Sequence, residues 1–246
     1  MIKNVLVTSG GTSEPIDTIR SITNKSTGKL GSLIADAFSE GKNVERIYYI
    51  HAKGAVMPKS EKVIPIEIET VNDLLSAVQT LFQNTVIDAV IHAMAVSDYR
   101  VKAVTSADDI FKAAKSAASV SEFIIEAPEK DIRNTEQKIS SELTSPVLLL
   151  ERTPKILPLF RQMAPRAVIV AFKLLSGATN EKLIDTAYRL LLKNSCDYVF
   201  ANDYSTVVTG EHCGYLINSG RFVFPYSGKE NIARGIAAAV LGKEGL

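Results

Sequence analysis

The chain has 246 residues, of which 46% are apolar and 22% are charged, as in ordinary soluble globular proteins. Its formal net charge of +1 gives no reason to propose nucleic acid or an acidic membrane as a partner. The two cysteines have neither a disulfide nor a metal-site spacing, and the first predicted strand begins too close to Met1 for a targeting segment. No apolar run approaches the roughly 20 residues needed to span a bilayer, so a cytoplasmic protein is expected.

The first predicted element is a short buried strand, Val5 to Val7, that breaks at a turn containing Gly10 and Gly11. The periodic apolar pattern of a helix begins only near Gly28, so residues 12–27 are predicted to form a loop. This loop lies outside the carboxyl end of the strand, where open α/β sheets bind ligands.

The predicted loop ends in a polar cluster, Asn24-Lys25-Ser26-Thr27-Gly28, at the start of the helix. Hydroxyls and backbone N–H groups at a helix N-terminus suit a phosphate. Ser26 or Thr27 could equally cap the helix while the glycines serve the turn. The cluster by itself favours neither interpretation.

The second predicted strand, Arg46 to His51, bears on cofactor choice. In a dinucleotide-binding protein this strand ends in an acid that holds a ribose hydroxyl, about 20 residues beyond the glycines. Here His51 is followed by Ala52 and Lys53, which counts against an NAD-dependent dehydrogenase. An edge strand, Val63 to Ile68, and a helix, Val71 to Phe82, are predicted to follow.

A nearly continuous apolar run, Asp88 to Val96, predicts a central parallel strand covered on both faces. The run stops at Ser97-Asp98. A carboxylate at this position can hold Mg²⁺ and a polyphosphate, or it can simply cap a turn. Asp98 is expected to lie beside the Gly10-Gly11 turn, which favours the functional interpretation.

Residues 99–145 lose this regularity and read as short amphipathic pieces followed by a charged run. Long irregular segments inside compact domains are often lids or binding loops. The lysines in this segment are by default solvated surface charges, and spacing alone cannot choose one that reaches a phosphate. We therefore predict one α/β domain over residues 1–246 with an inserted flap or dimerisation region at about 99–145.

The remaining chain alternates between predicted strands and helices, which completes a three-layer, Rossmann-like, mostly parallel sheet. Thr153 is predicted to cap a short helix with Pro154 at its first position. A later helix, Glu181 to Lys193, carries Arg189 and Lys193 on one face. Such cations usually decorate a surface, but at the open end of the sheet they could hold a triphosphate.

Five blocks, taken together, resemble one known family. They are TSGGTSEPIDTIRSITNKSTGKLG (8–31), AMAVSDY (93–99), RTPKIL (152–157), VAFK (170–173) and DYVFAND (197–203). Their order is that of phosphopantothenoylcysteine synthetase, the phosphopantothenate–cysteine ligase of coenzyme A biosynthesis. The resemblance extends from the first strand to the final helix and points to the single-function bacterial form.

The resemblance implies a ligase that joins 4'-phosphopantothenate and L-cysteine into 4'-phosphopantothenoyl-L-cysteine. A nucleoside triphosphate, CTP in most bacterial members, would activate the carboxylate as an acyl-nucleotide in the presence of Mg²⁺. The segment Lys173-Leu174-Leu175-Ser176 departs from the common bacterial pattern and is similar to ATP-using eukaryotic relatives, so the preferred base stays open. A homodimer is also implied.

The resemblance also implies roles for individual residues. Asn24, Asp98 and the flap residue Lys138 would be catalytic, with Lys130 as a rival to Lys138 and Asp98 as a possible metal ligand. Arg20 would reach into the neighbouring subunit's site. The implied substrate-binding residues are Gly10, Gly11, Arg20, Asn24, Ser26, Gly28 and Ala95. The implied nucleotide-binding residues are Gly11, Ser26, Gly28, Gly31, Ala93, Met94, Asp98, Pro154, Lys155, Ile156, Leu157, Phe172, Arg189 and Lys193.

Two other functions are compatible with parts of the pattern. An NAD(P)-dependent reductase would use a similar sheet, but the acid at the end of the second strand is missing. A non-catalytic nucleotide-binding module would keep the glycine turn, but it would have no reason to hold Asn24, Asp98 and a flap lysine together.

Overall fold

The computed structural model describes residues 1–116 and 145–242. Its centre is an eight-stranded sheet in the order β12-β11-β10-β9-β6-β1-β4-β5. These strands are β1 (Asn4–Ser9), β4 (Arg46–Ala52), β5 (Val63–Ile68), β6 (Ala89–His92), β9 (Val168–Leu175), β10 (Tyr198–Asp203), β11 (Cys213–Asn218) and β12 (Val223–Ser227). Only β11 runs antiparallel to the other strands of this sheet, so the predicted mostly parallel sheet is confirmed.

Seven helices accompany the sheet in the described residues. They are α1 (Lys29–Ser39), α2 (Val71–Asn84), α3 (Ala107–Ser116), α4 (Leu157–Met163), α5 (Asn180–Asn194), α6 (Tyr204–Val208) and α7 (Lys229–Leu241). Buried side chains of α1 and α7 pack on one face of the sheet, and those of α2, α4 and α5 belong to the core of the other face. The predicted three-layer architecture is therefore confirmed.

The strand order reverses beside β1. The chain moves outward from β1 to β4 and β5, and then returns to place β6 on the other side of β1. Both β1 and β6 are buried along their length, because apolar residues face helices on both sides of the sheet. A crevice at such a reversal, outside the carboxyl ends of the strands, is the usual binding site of open α/β sheets.

Three local predictions need correction. The strand predicted over Asp88 to Val96 is only β6, because residues 93–98 leave the sheet and follow the turn after β1. The predicted loop 12–27 contains a small hairpin formed by β2 (Ser13–Pro15) and β3 (Ser21–Thr23). Thr153 does not cap α4, whose N-cap is Ile156.

The segment after Asp98 is also more regular than predicted. β7 (Tyr99–Ser106) leads into α3 and pairs antiparallel with β8 (Pro146–Arg152) in a separate two-stranded sheet. Val101 and Ala103 are buried in β7. This alternation of buried residues is present in the sequence, but the charged residues nearby made it hard to recognise. No helix in residues 1–116 and 145–242 is long and apolar enough to cross a membrane.

Candidate functional site

The segment that follows β6 lies against the glycine turn that follows β1. Ala95 N–H donates to the Gly10 carbonyl over 2.9 Å, and Thr12 N–H donates to the Ala95 carbonyl over 3.1 Å. These bonds continue the pairing of β1 and β6 past the end of the sheet. The expected proximity of the Gly10-Gly11 turn to the segment leading to Asp98 is therefore observed.

Three buried hydroxyl residues join separate parts of the chain beneath this segment. Thr12 Oγ1 donates to Ser97 Oγ over 3.0 Å, and Ser97 N–H donates to Thr12 Oγ1 over 2.9 Å. Thr153 Oγ1 donates to the Ser97 carbonyl over 2.5 Å. Because Thr153 follows β8, this chain of bonds fixes the two-stranded sheet β7–β8 to the central crevice.

Asn24 joins the same framework from the loop before α1. Its side-chain amide donates to the Ala95 carbonyl over 3.1 Å, and its backbone N–H donates to the Thr12 carbonyl over 3.3 Å. A Cβ atom on Gly11 would stand 2.2 Å from the Asn24 carbonyl oxygen, so only glycine permits this approach. Asn24 and Asp98 consequently lie at the same edge of the sheet.

Helix α1 begins at this edge without a side-chain cap. Its N-cap is Gly28, with φ of 71°, and the hydroxyls of Ser26 and Thr27 accept only long bonds of 3.4 Å, from the N–H groups of Gly28 and Lys29. The simple capping interpretation of Ser26 and Thr27 is thus a poor description of this turn. A Cβ on Gly31 would lie 2.2 Å from Ser9 Oγ, which explains the close approach of α1 to β1.

A cleft of about 720 Å³ opens between these elements. Its lining comes from the start of α1, the segment after β6, the ends of β9 and β10, α6, and the region around the start of α7. The lining residues are Lys25, Ser26, Thr27, Gly28, Lys29, Leu30, Gly31, Ala93, Met94, Ala95, Phe172, Leu174, Asn202, Tyr204, Val207, His212 and Lys229. Seven of the residues implied by the resemblance are among them: Ser26, Gly28, Gly31, Ala93, Met94, Ala95 and Phe172.

The cleft combines positive charge with an apolar surface. Lysines line it at positions 25, 29 and 229, and its lining contains no aspartate or glutamate. Phe172 and Leu174 from β9, with Tyr204 and Val207 from α6, supply the apolar part. The Phe172 ring packs against Phe200 with 5.6 Å between centroids, which limits its movement. This combination suits a ligand that has anionic groups and a planar ring.

Asp203 positions the α6 side of the cleft. Its carboxylate accepts hydrogen bonds from Ala178 N–H over 2.9 Å, and from Ser205 N–H and Oγ over 2.9 and 2.7 Å. The bond from Ala178, followed by those from Ser205, lowers the pKa of Asp203 to about 2. The ionised side chain therefore holds the end of β10, the loop after β9 and the first turn of α6 together.

Comparison with known proteins places this architecture in a family. The model of the DNA/pantothenate metabolism flavoprotein C-terminal domain matches residues 1–115 and 100–243. The chain belongs to this family. A crystal structure of the DNA/pantothenate metabolism flavoprotein from Streptococcus pneumoniae covers 98% of this chain and 98% of its own, with a TM-score of 0.83 and 32% identity.

Two curated relatives are bifunctional proteins. The chain is 34% identical over 200 residues to the coenzyme A biosynthesis bifunctional protein CoaBC of Thermococcus kodakarensis, covering 81% of this chain and 41% of the relative. It is 31% identical over 208 residues to the protein of the same name from Methanocaldococcus jannaschii, covering 84% of this chain and 42% of the relative. The chain thus spans less than half the length of these relatives.

Within this flavoprotein C-terminal domain, Asp98 lies outside the cleft lining and forms an ion pair with Lys155. Both side chains are largely exposed, at 69% and 65%. The described residues contain no cluster of three or more His, Cys, Asp or Glu side chains that could hold a metal. A single carboxylate is the usual protein contribution where Mg²⁺ is bound mainly by phosphates and water.

The other residues implied by the resemblance are spread more widely. Pro154, Ile156 and Leu157 continue from the Asp98–Lys155 pair, and Ile156 is buried in the core. Arg20 is half-exposed on the β2–β3 hairpin, with 3.6 Å between its Nε and a carboxylate oxygen of Asp17. Lys138 and its rival Lys130 lie outside the described residues.

Arg189 and Lys193 do not approach the cleft within this chain. Both are exposed on α5, and Lys193 lies in its last turn. Since α5 runs back from the carboxyl edge of the sheet to the start of β10, Lys193 is at the amino edge, away from the cleft. Within the described chain their position fits the alternative of solvated surface charges, and their assignment to the nucleotide stays a prediction.

Sequence reasoning missed several residues that line the cleft. Asn202 lies near the end of β10, and Tyr204 and Val207 follow it in α6, where a ligand site could have been expected from strand position. His212 and Lys229 carried no local signal. His212 lies at the carboxyl edge just before β11, which runs antiparallel to β10. Lys229 reaches the same edge because β12 runs antiparallel to β11 and returns the chain there.

Proposed function

We propose that this chain is a phosphopantothenate–cysteine ligase of coenzyme A biosynthesis. The observation that carries the proposal is the convergence of three distant segments on one crevice: the Asn24–Gly31 segment, the 93–95 segment and Phe172. Membership of the flavoprotein C-terminal domain family supports it. The name of the two bifunctional relatives, which refers to coenzyme A biosynthesis, supports the same pathway.

The proposed reaction explains why the site combines cations with uncharged hydrogen-bonding groups. A carboxylate oxygen of phosphopantothenate attacks the α-phosphorus of the nucleotide, and the bond to pyrophosphate breaks. The cysteine amine then attacks the acyl carbon, a proton leaves the nitrogen, and nucleoside monophosphate departs. The first step brings anions together, so cations near the phosphates lower its barrier.

The chain's own residues would divide these tasks. The lysines of the cleft and the N–H groups at the start of α1 would bind phosphate oxygens. The Asn24 amide, held at 3.1 Å from the Ala95 carbonyl, would orient the acyl group without adding negative charge. Asp98 would face the Mg²⁺ carried by the phosphates, and that ion would offset their negative charge.

Several finer features remain part of the proposal. The cosubstrate would be CTP, with ATP as the alternative, and Lys138 would assist the first step. The protein would act as a homodimer in which Arg20 reaches the neighbouring subunit's site. The exposed position of Arg20 on the β2–β3 hairpin supports that role.

A reconstituted assay tests the proposal. The purified protein is incubated with 4'-phosphopantothenate, L-cysteine, Mg²⁺ and either CTP or ATP, and pyrophosphate and the dipeptide-like product are measured. We expect continuous pyrophosphate release only when both the acid and cysteine are present. Oxidation of NADPH in the same mixture would support the reductase instead. Nucleotide binding without turnover would support a binding module, and either result would refute the ligase.

A further inference from the structure

Two residues that the sequence pattern did not indicate, His212 and Lys229, form one side of the cleft. His212 lies in the loop before β11, and Lys229 is the first residue of α7. Their segments are joined by a hydrogen bond of 3.2 Å from Gly228 N–H to the Glu211 carbonyl. This bond holds the loop before β11 and the start of α7 together on one side of the cleft.

Lys229 is available to bind an anion. Its side chain is half-buried, and none of the ion pairs found among the described residues involves it. Lys25 in the loop before α1 and Lys29 in its first turn also line the cleft, and neither takes part in any of those ion pairs. Lysines in a concave surface without acidic residues produce a positive potential that draws anionic ligands.

His212 is held in an uncommon backbone conformation. Its φ is 49°, a region that costs a non-glycine residue on the order of 1–2 kcal/mol. A hydrogen bond of 2.9 Å from its N–H to the Thr206 carbonyl stabilises this conformation. Burial, followed by the charge of Lys229, lowers the pKa of His212. At neutral pH the imidazole is therefore uncharged and can share a hydrogen bond beside the ammonium group.

We propose, resting on the ligase function proposed above, that Lys229 and His212 bind the phosphate chain of the nucleoside triphosphate. Lys229 pairs with a phosphate oxygen, and His212 donates a hydrogen bond to the same group. The apolar residues Phe172, Leu174 and Tyr204 lie in the same cleft and leave room for the base and sugar. A polyphosphate also accounts for the contribution of cations from both α1 and α7.

Calorimetric binding tests this assignment without turnover. Dissociation constants are measured for CTP, CMP, inorganic tripolyphosphate and phosphopantothenate, each added alone with Mg²⁺, and ATP and AMP are used if ATP is preferred. The variants are Lys229→Met and His212→Gln. Lys42→Met is the matched control, because Lys42 is exposed in the turn after α1, at the other end of that helix. Thermal unfolding verifies that each variant is folded.

We expect Lys229→Met to weaken CTP and tripolyphosphate binding about 10-fold or more, with a smaller effect on CMP. His212→Gln should weaken the same ligands by about 5-fold, and Lys42→Met should change nothing. Unchanged triphosphate binding in Lys229→Met would overturn the assignment. A loss confined to phosphopantothenate would also overturn it, because the group bound would then be the other substrate's phosphate.

The binding data are independent of the ligase assay. A wild-type protein that makes no product, together with a Lys229→Met variant that loses triphosphate affinity, would refute the ligase function and retain the nucleotide site. A wild-type ligase whose Lys229→Met variant binds CTP normally would retain the function and refute the site.

Discussion

Two kinds of helix start meet at the carboxyl edge of the sheet. Helices α2 and α5 are closed by their own side chains. Thr70 and Asp73 form a reciprocal capping box on α2, and Thr179 accepts from Lys182 N–H on α5. Helices α1 and α7 begin instead at Gly28 and Gly228, and neither has a side-chain cap.

The difference follows the location of the cleft. The first turns of α1 and α7 contribute Lys29, Leu30, Gly31 and Lys229 to its lining, whereas no residue of α2 or α5 does so. A capped start satisfies its own N–H groups and stabilises the fold. An uncapped start leaves N–H groups available to a ligand. Among these four helices, the two that line the cleft, α1 and α7, are the two without a side-chain cap. The short helix α6 also lines the cleft, but its start is capped by Asp203.

The largest expected effect comes from a substitution that displaces α1, one of the two helices that begin without a side-chain cap. In Gly31→Ala the new Cβ would lie 2.2 Å from Ser9 Oγ and 2.6 Å from Ser9 Cβ, so α1 must shift away from β1. We expect the free energy of unfolding to fall by about 3 kcal/mol and nucleotide binding to be lost. Urea denaturation and calorimetry measure the two effects.

A second substitution distinguishes this clash from other causes. Adding Ser9→Gly to Gly31→Ala removes the two Ser9 atoms, Oγ and Cβ, that lie nearest the new Cβ. Part of the lost stability and binding should return, although Ser9 Oγ no longer donates to the Gly28 carbonyl. A double variant as impaired as the sum of the two single variants would show that steric contact is not the cause.

The next largest effect depends on pH and concerns a buried histidine at the end of β6. His92 ends β6, is buried, and lies 2.7 Å through Nδ1 from Thr8 Oγ1. Burial lowers the pKa of His92 from 6.5 to about 4. Between these values the unfolded chain binds a proton that the folded chain does not. Stability must therefore fall as the pH falls, by up to about 1.4 kcal/mol per pH unit.

Denaturation at pH 8, 7, 6 and 5 tests this dependence. The matched variant is His92→Asn, which keeps a polar group near Thr8 and does not titrate. The difference in unfolding free energy between wild type and variant should change across this range and stay constant above pH 7. Equal pH dependence in both proteins would assign the acid sensitivity to other groups.

Removing the side-chain cap of α2 should have a smaller effect, confined to the stability of the fold. Thr70→Ala deletes the hydroxyl that accepts from Asp73 N–H at the start of α2. We expect a loss of about 1 kcal/mol in unfolding free energy and no change in nucleotide affinity. Thr179→Ala on α5 is the companion variant and should behave in the same way. A loss of nucleotide affinity in either variant would contradict the distinction between capped and uncapped helix starts.

The strands and helices of the central sheet could be predicted from sequence because their cause is local. Buried runs such as Val5 to Val7 and the helical stripe of Val71 to Phe82 give the elements directly. Thr153 shows where this reasoning fails. Its position before Pro154 suits a helix cap, but its hydroxyl donates to the Ser97 carbonyl, a residue 56 positions earlier in the chain.

The residues of the candidate site also differ in whether the sequence could predict them. Gly28, Gly31 and Ser26 could be predicted because the turn, the helix start and the close approach all belong to one continuous segment. Lys229 could not, because its place in the cleft depends on the β11–β12 hairpin and on the bond between Gly228 and Glu211. The position of Arg189 and Lys193 could not be predicted either, because helical spacing indicates a shared face but not the end of the sheet that the face occupies.

The smallest expected effect concerns the ion pair between Asp98 and Lys155, which lies outside the cleft lining. Both side chains are more than half exposed, so water screens their attraction and the pair adds little stability. We expect Lys155→Met to change the unfolding free energy by less than about 0.5 kcal/mol. If Lys155 serves the nucleotide, the same variant should raise the KM for nucleotide and leave the KM for cysteine unchanged. Lys42→Met provides the control for loss of a surface charge. A large loss of stability in Lys155→Met would mean that the Asp98–Lys155 pair, like the capped helix starts, serves mainly the fold.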